Sequence, residues 1–356
     1  MKVLTLVQPG QGRPQRDELR VLEQSDRYPR STLFADLLNT DLLDEEFLAR
    51  IPAWRRILYW PLPTLLSQLI EAFLIRGRYD AVISWAETLG LPFALLLKLM
   101  RARTPHVALF SWISKPKKAK FLSFVHSHID RIMLWSSYQR DFAIQQIRIP
   151  ESKIEFSRWY VDQKFWRPLN KPSVMICAAG REMRDYQTLL QAVEGLDIPC
   201  HIAVSYMKGR KDPWMDMIRS VNGLPSHITV GQKSFTELRD LYASSRFVVV
   251  PLLPQSDTDN GVTVILEAMA MGKPVICSKT MAQIDVIQPG KTGMLVPPGD
   301  PKALREAILH LWEHPEEAER MGKRGREYIE EFHTFDGFCH QVKRMVEEVV
   351  AEKRNH

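Results

Sequence analysis

The stretch that most constrains this chain covers residues 257–279, DTDNGVTVILEAMAMGKPVICSK. It reads as a polar, glycine-containing turn, an apolar helix with one acid in it, a Gly-Lys-Pro break and a short strand, VIC. Gly272 followed by Pro274 is the signal that ends a helix. Glu267 lies inside the apolar run, where burying a carboxylate without a partner is costly, so something must pair with it. Asp259 stands on the far side of the Gly261-Val262-Thr263 turn. If the helix begins near Val262 or Thr263, its first-turn N–H groups have no acceptor within the helix, and Gly261 lets an anion approach the main chain. That arrangement suits a ligand with a phosphate at one end and hydroxyls at the other. An ordinary core helix with a hydrogen-bonded glutamate fits the same residues equally well.

The run NGVTVILEAMAMGKPVI resembles the donor-site signature of the retaining, nucleotide-sugar-dependent glycosyltransferases of family 4, the glycosyl transferases group 1. The resemblance implies an α/β chain of the GT-B fold, two Rossmann-like domains facing a central cleft. In that family two acids flank a Gly-aromatic-Gly turn ahead of Leu-Glu-Ala-Met-Ala-x-Gly-x-Pro-Val. The second acid binds the nucleotide ribose and matches Glu267. The first holds sugar hydroxyls and matches Asp259, an acid shorter than the usual Glu. The turn reads Asn260-Gly261-Val262-Thr263, without the aromatic residue and the second glycine.

Length agrees with two domains: 356 residues exceed what one core usually fills, and about 150 to 200 residues are expected in each. The expected division is 1–168 for an acceptor-side domain, 169–334 for a nucleotide-sugar-binding domain and 335–356 for a terminal helix that crosses back to the first. Cys177, Cys200, Cys277 and Cys339 are far apart and form no CxxC pair. They read as buried thiols of a reducing compartment, not as a disulfide framework or a zinc site. The opening MKVLTLVQPG has too short an apolar run for a signal peptide, and no uncharged apolar run reaches the roughly 18 residues of a membrane span. The expected location is cytoplasmic, with a peripheral position at the inner face of the membrane.

The net charge of +6 is unevenly placed. Basic and aromatic residues gather at Arg50, Trp54, Arg55, Arg56, Tyr59 and Trp60, and lysines gather at Lys115, Lys117, Lys118 and Lys120. Such patches suit an anionic membrane surface or the phosphates of a small acceptor, and equally a merely solvated face. Nothing resembles a module that reads DNA or RNA, so no nucleic-acid partner is expected.

Along the chain, residues 3–7 read as a first strand. The PGQGRP loop follows, where the resemblance implies that Gly10 and Gly12 cradle acceptor and donor. Helices are expected over 31–39 and 42–50. Residues 81–85 form a buried strand, after which Glu87 precedes a helix starting at Leu91-Pro92. Open sheets bind ligands at the C-terminal ends of their strands, which makes Glu87 a site candidate, and an acid favoured by a helix dipole is an equally good reading. The strand at 106–110 ends in Ser111-Trp112, where the family usually places a histidine. His126 and His128 follow in a helical segment, as cleft or structural residues.

A proline-bounded linker at 168–172 leads to a strand at 173–178. The family has a Gly-Arg next, and a further basic residue, that hold the donor diphosphate. Gly180, Arg181 and Arg184 match them. A guanidinium fork suits phosphate oxygens. A helix is expected over 212–221, and a strand over 227–230 is expected to flank the base through backbone atoms, with Ile228 at its start. Val262 and Thr263 supply the helix-terminal N–H groups. Where the family has paired glycines and an acid, only Asp285 remains.

The chemistry implied is transfer of a sugar from a nucleoside-diphosphate-sugar, UDP- or GDP-linked, to a small-molecule, lipid-linked or glycan acceptor. No bound cofactor is expected and no metal is required, since cationic side chains and helix-terminal N–H groups would hold the leaving diphosphate. The alternatives are a sugar-nucleotide 2-epimerase and a non-catalytic nucleotide-sugar-binding protein.

Overall fold

The computed structural model describes residues 1–9, 14–204, 224–256, 259–280 and 283–355. The chain gathers into two compact units. The first comprises Met1–Gln24, Arg30–Arg158 and Asp336–His356, and the second Ser25–Pro29 and Trp159–Phe335. The division falls ahead of Trp159 and not at 168, because Val161, Phe165 and Trp166 pack into the core of the second unit.

Each unit is built on a six-stranded, fully parallel sheet. In the first the strands are β1 (Val3–Leu6), β2 (Thr40–Leu43), β3 (Ala81–Trp85), β4 (His106–Phe110), β5 (Arg131–Leu134) and β6 (Ile154–Phe156), in the order β2-β1-β3-β4-β5-β6. In the second they are β7 (Met175–Ala179), β8 (Cys200–Ala203), β9 (Ile228–Gly231), β10 (Ser245–Val250), β11 (Val275–Ser278) and β12 (Gly293–Val296), in the order β12-β11-β10-β7-β8-β9. Sequences such as HVALF and RFVVV are nearly continuous apolar runs because helices cover both faces of a parallel sheet. The order reverses between β1 and β3 in one sheet and between β7 and β10 in the other. At such a switch point neighbouring loops part, leaving a crevice outside the C-terminal strand ends.

Two local features depart from the sequence expectation. Residues 40–43, TDLL, form edge strand β2 between helices Thr32–Leu38 and Glu45–Arg50. The left-handed Asn39 turns the chain into it, and Asp44 caps the next helix by accepting from the Phe47 N–H. A four-residue, half-polar edge strand carries little periodic signal. The helix after β3 begins at Glu87, with Pro92 inside it. Its start is fixed by Ala86, whose φ of 87° breaks the strand, and not by the proline. The helix expected over 212–221 lies outside the described residues.

The terminal helix Phe335–Arg354 explains why its residues from Asp336 onward belong to the first unit. Phe338 packs among Phe34, Trp85 and Trp135, with ring centroids 5.2 to 6.1 Å away. Gln341 bonds Ser157, Glu155 and the Phe156 carbonyl, and Arg30 grips Asp336 through two bonds. Phe338→Ala is expected to destabilise the first unit by about 3–5 kcal/mol through the cavity it leaves. Denaturant unfolding of the full chain, followed by tryptophan fluorescence, measures this.

Candidate functional site

The switch point of the second sheet is closed by one arginine. After β7 the chain turns at Gly180, with φ +105°, through Met183, with φ 56°, to Arg184. The Arg184 guanidinium folds back beneath this turn, donating from Nε to the Ala179 carbonyl at 2.9 Å and from Nη1 to the Glu182 carbonyl at 2.8 Å. A Cβ at Gly180 would lie 2.3 Å from Nη2, so the turn requires glycine for space as well as for its positive φ. Tyr186 donates from its hydroxyl to the Gly180 carbonyl at 2.6 Å, and Asp185 caps the next helix through the Thr188 N–H. The same loop is laced to the one after β10: Asp185 N–H bonds the Pro251 carbonyl, and Leu253 N–H bonds that of Met183.

The loop after β10 leads through Asp259 and Asn260 to Gly261, whose φ of 85° starts helix Val262–Ala270. A side chain at Gly261 would meet Val250 at 2.9 Å and approach Arg184 Nη1 at 3.7 Å. The Val262 N–H reaches the Asp259 carbonyl at 3.3 Å. Behind the turn, buried Gln283 donates to the Asn260 carbonyl at 2.5 Å and accepts from Thr280, while Ser278 Oγ accepts from the Leu252 N–H. Gln283 and Ser278 set the shape of this loop and were not singled out by sequence reasoning. A glutamine beside a missing glycine pair carries no signal until the fold brings it to the loop.

Glu267 has the partner that its apolar surroundings demand. The buried Tyr242 hydroxyl donates to Oε2 at 3.0 Å. Burial raises the Glu267 carboxyl from 4.5 to about 8, against the Tyr242 hydrogen bond and the charge of Arg184, which both favour the carboxylate. Tyr242 is thus a second residue missed from sequence, since its helix, Phe235–Ala243, lies 25 positions away.

The structure therefore brings Gly180, Arg184, Gly261, Val262 and Glu267 to one switch point, with Asp259 and Thr263 on the same turn. Arg181 is half-buried on the adjoining loop. Ile228 is not brought there: it is buried in the core at the N-terminal end of β9. The C-terminal end of that strand, Gly231, lies about 10 Å further along. In the first unit, Glu87 stands at the corresponding switch point, with Gln8 Nε2 bonding Thr88 Oγ1 at 2.7 Å. Its carboxylate is occupied by protein groups. Oε1 accepts from the Ser111 and Trp112 N–H groups at 2.8 and 2.5 Å, and Oε2 from Lys118 Nζ at 3.3 Å. Gly10 and Gly12 lie outside the described residues. His126 and His128 end the helical segment before β5 and are partly exposed, with pKa values lowered by burial. Among the described residues no three His, Cys, Asp or Glu side chains gather as a metal would need. No described helix is long and apolar enough to cross a membrane. All four cysteines are buried, and none of them forms a disulfide.

The raised Glu267 value fixes a pH dependence. The unfolded chain releases this proton near 4.5 and the folded chain only near 8, so between these values the folded state binds more protons. Stability of the ligand-free protein is expected to fall as pH rises from 5 to 8, by up to about 1.4 kcal/mol per unit, and then to level off. Glu267→Gln removes this component. Urea midpoints across the range, for both proteins, measure it.

Residues 172–314 match the family described as glycosyl transferases group 1. The MMP alpha-(1->4)-mannosyltransferase of Mycolicibacterium hassiacum is 23% identical over 266 residues, which cover 71% of this chain and 64% of that protein. Two shorter matches span 16% and 34% of their curated relatives. Among solved structures, the sucrose-phosphate synthase of Thermosynechococcus elongatus superposes with a TM-score of 0.75 at 17% identity, over 99% of both chains. Anabaena Alr3699/HepE, solved in complex with UDP, gives 0.72 at 15% identity over 98% of this chain and 100% of that one. The two parallel sheets are thus the GT-B fold, and residues 172–314, with the switch point between β7 and β10 inside them, are a domain of the glycosyl transferases group 1 family.

Proposed function

We propose that the chain is a retaining, metal-independent glycosyltransferase. It moves a sugar from a UDP- or GDP-linked donor to a hydroxyl acceptor in glycolipid or cell-surface polysaccharide synthesis, at the cytoplasmic face of a membrane. The second unit binds the donor and the first the acceptor. The observation that carries this reading is the convergence of Arg184, the glycine turns and the N-terminus of helix Val262–Ala270 on a single switch point. Binding of UDP by the Anabaena relative supports it.

In the reaction the bond from the anomeric carbon to the diphosphate breaks, the acceptor oxygen bonds that carbon, and the acceptor's hydroxyl proton passes to the departing diphosphate. Negative charge grows on the departing diphosphate. Arg181 and Arg184 meet that charge, and the first-turn N–H groups of the Val262–Ala270 helix add dipoles fixed in advance. Glu267 accepts from the ribose hydroxyls and Asp259 orients the sugar. Glu87, with both oxygens engaged, acts as a positioning residue that holds Ser111, Trp112 and Lys118 at the acceptor side. Retention of configuration rests on the family resemblance.

Asp259 and Glu267 are expected to have separable effects. Ribose contacts are alike in ground and transition states, so Glu267→Gln raises the donor KM with kcat largely kept. Asp259→Asn lowers kcat while the free nucleoside diphosphate still binds. Donor saturation kinetics, with products of several nucleotide sugars identified by mass spectrometry, read both. An isomerised sugar nucleotide would indicate an epimerase, and nucleotide binding without any product a binding protein.

Turnover is expected to persist in EDTA, because positive charge at the diphosphate comes from side chains. Loss of turnover on chelation, restored by Mg²⁺ or Mn²⁺, would return Asp257 and Asp259 to a metal role.

A further inference from the structure

In the first unit, helix Ala53–Tyr59 has no buried residue. Trp54, Ile57 and Leu58 on it are 58%, 73% and 62% exposed, and Trp60 and Leu66 just beyond it 89% and 44%. A helix on a water-soluble surface normally turns its apolar side inward. Here the polar contacts face the protein instead. Arg55 Nη1 and the Tyr59 hydroxyl each reach a different oxygen of the buried Glu71 at 2.8 Å, on helix Thr64–Ile75. Glu71 thereby pins the short helix with its tryptophan and aliphatic side chains in solvent.

Cations predominate in the segments around this patch, with Arg50 paired to Glu46 and Arg55 to Glu71. From Arg50 to Leu66 the chain carries three arginines and no acid, and from Ser111 to Lys120 four lysines and no acid. The two segments follow β2 and β4 of one parallel sheet, so both leave it at the same, C-terminal edge. Arg56, Lys117 and Lys120 are exposed, and Lys115 lies over the Trp112 ring at 4.4 Å. Tryptophans bracketing an aliphatic run, with cations alongside, match the composition of elements that sit at the boundary of headgroups and acyl chains. A protein partner's interface would more commonly mix both charges around a concave or flat core. These side chains project from a helix and a Pro-Leu-Pro turn.

We propose that Trp54, Ile57, Leu58, Trp60 and Leu66 insert into an anionic bilayer, with Arg56, Lys117 and Lys120 at lipid phosphates. The face holds the C-terminal edge of the first sheet against the membrane, where a lipid-borne hydroxyl can reach it. The proposal rests on the glycosyl-transfer reading only for the purpose of this contact, since the contact itself requires no donor.

The test is sedimentation of the full chain with vesicles of phosphatidylcholine, with and without phosphatidylglycerol, alongside tryptophan emission. Expected is binding that strengthens with phosphatidylglycerol, weakens with salt and shifts the emission to the blue. The combined variant Trp54→Ser, Ile57→Ser, Leu58→Ser and Trp60→Ser is expected to bind at least tenfold more weakly. Calorimetric titration with UDP and GDP shows whether that exposed-site variant keeps the wild-type second unit. Absence of vesicle binding by the wild type overturns the proposal, as does binding that the fourfold variant retains. So does a wild-type dimer in solution that the variant abolishes, which would assign the patch to a second copy. Vesicle binding without nucleotide binding would sink the donor reading and leave the surface standing.

Discussion

The second unit depends on how one guanidinium is packed. Arg184 sits beneath the Gly180 turn with Nε and Nη1 on main-chain carbonyls, which joins the end of β7 to its own loop and, through the Asp185 and Leu253 N–H groups, to the loop after β10. Those loops leave the two strands where the sheet order reverses, so nothing in the sheet itself would hold them in register. Gly180 and Gly261 flank the same guanidinium, and at Gly180 a Cβ would overlap it. A cation held this way is placed before any anion arrives, which spares the cost of ordering a long side chain on binding.

Glu267 is the second constraint, and it works against stability. A carboxylate on an apolar helix is tolerated because Tyr242 donates to it and Arg184 lies near, yet burial still favours its protonated form. A ligand whose hydroxyls donate to Glu267 stabilises the carboxylate, so binding and ionisation are linked. The unliganded protein therefore holds Glu267 mostly protonated below about pH 8, and a ribose would favour its ionisation.

The strands were legible because buried parallel strands are continuous apolar runs, and the Val262–Ala270 helix because its apolar run is bounded by Gly261 and by Gly272 with Pro274. Edge strand β2 was not, since four half-polar residues between helices carry no period. Pro92 misplaced a helix start that the strained Ala86 decides. Of the site, Gly261 and Glu267 could be read from local pattern, and Gly180 and Arg184 only through the family resemblance. Tyr242 and Gln283 could not, because they bond residues 25 and 23 positions away in sequence. Ile228 shows the converse limit: the strand was legible, but which of its residues border the crevice was not, and Ile228 at its start faces the core.

The central claim, that a nucleoside diphosphate occupies the switch point between β7 and β10, is tested most directly by hydrogen–deuterium exchange of the full chain with and without UDP or GDP. The account predicts slower exchange in peptides covering 179–186 and 260–266, with the β11 and β12 strands unchanged. Saturating nucleotide, shown bound by calorimetry, that protects only the first unit or leaves both peptides unaltered would contradict it.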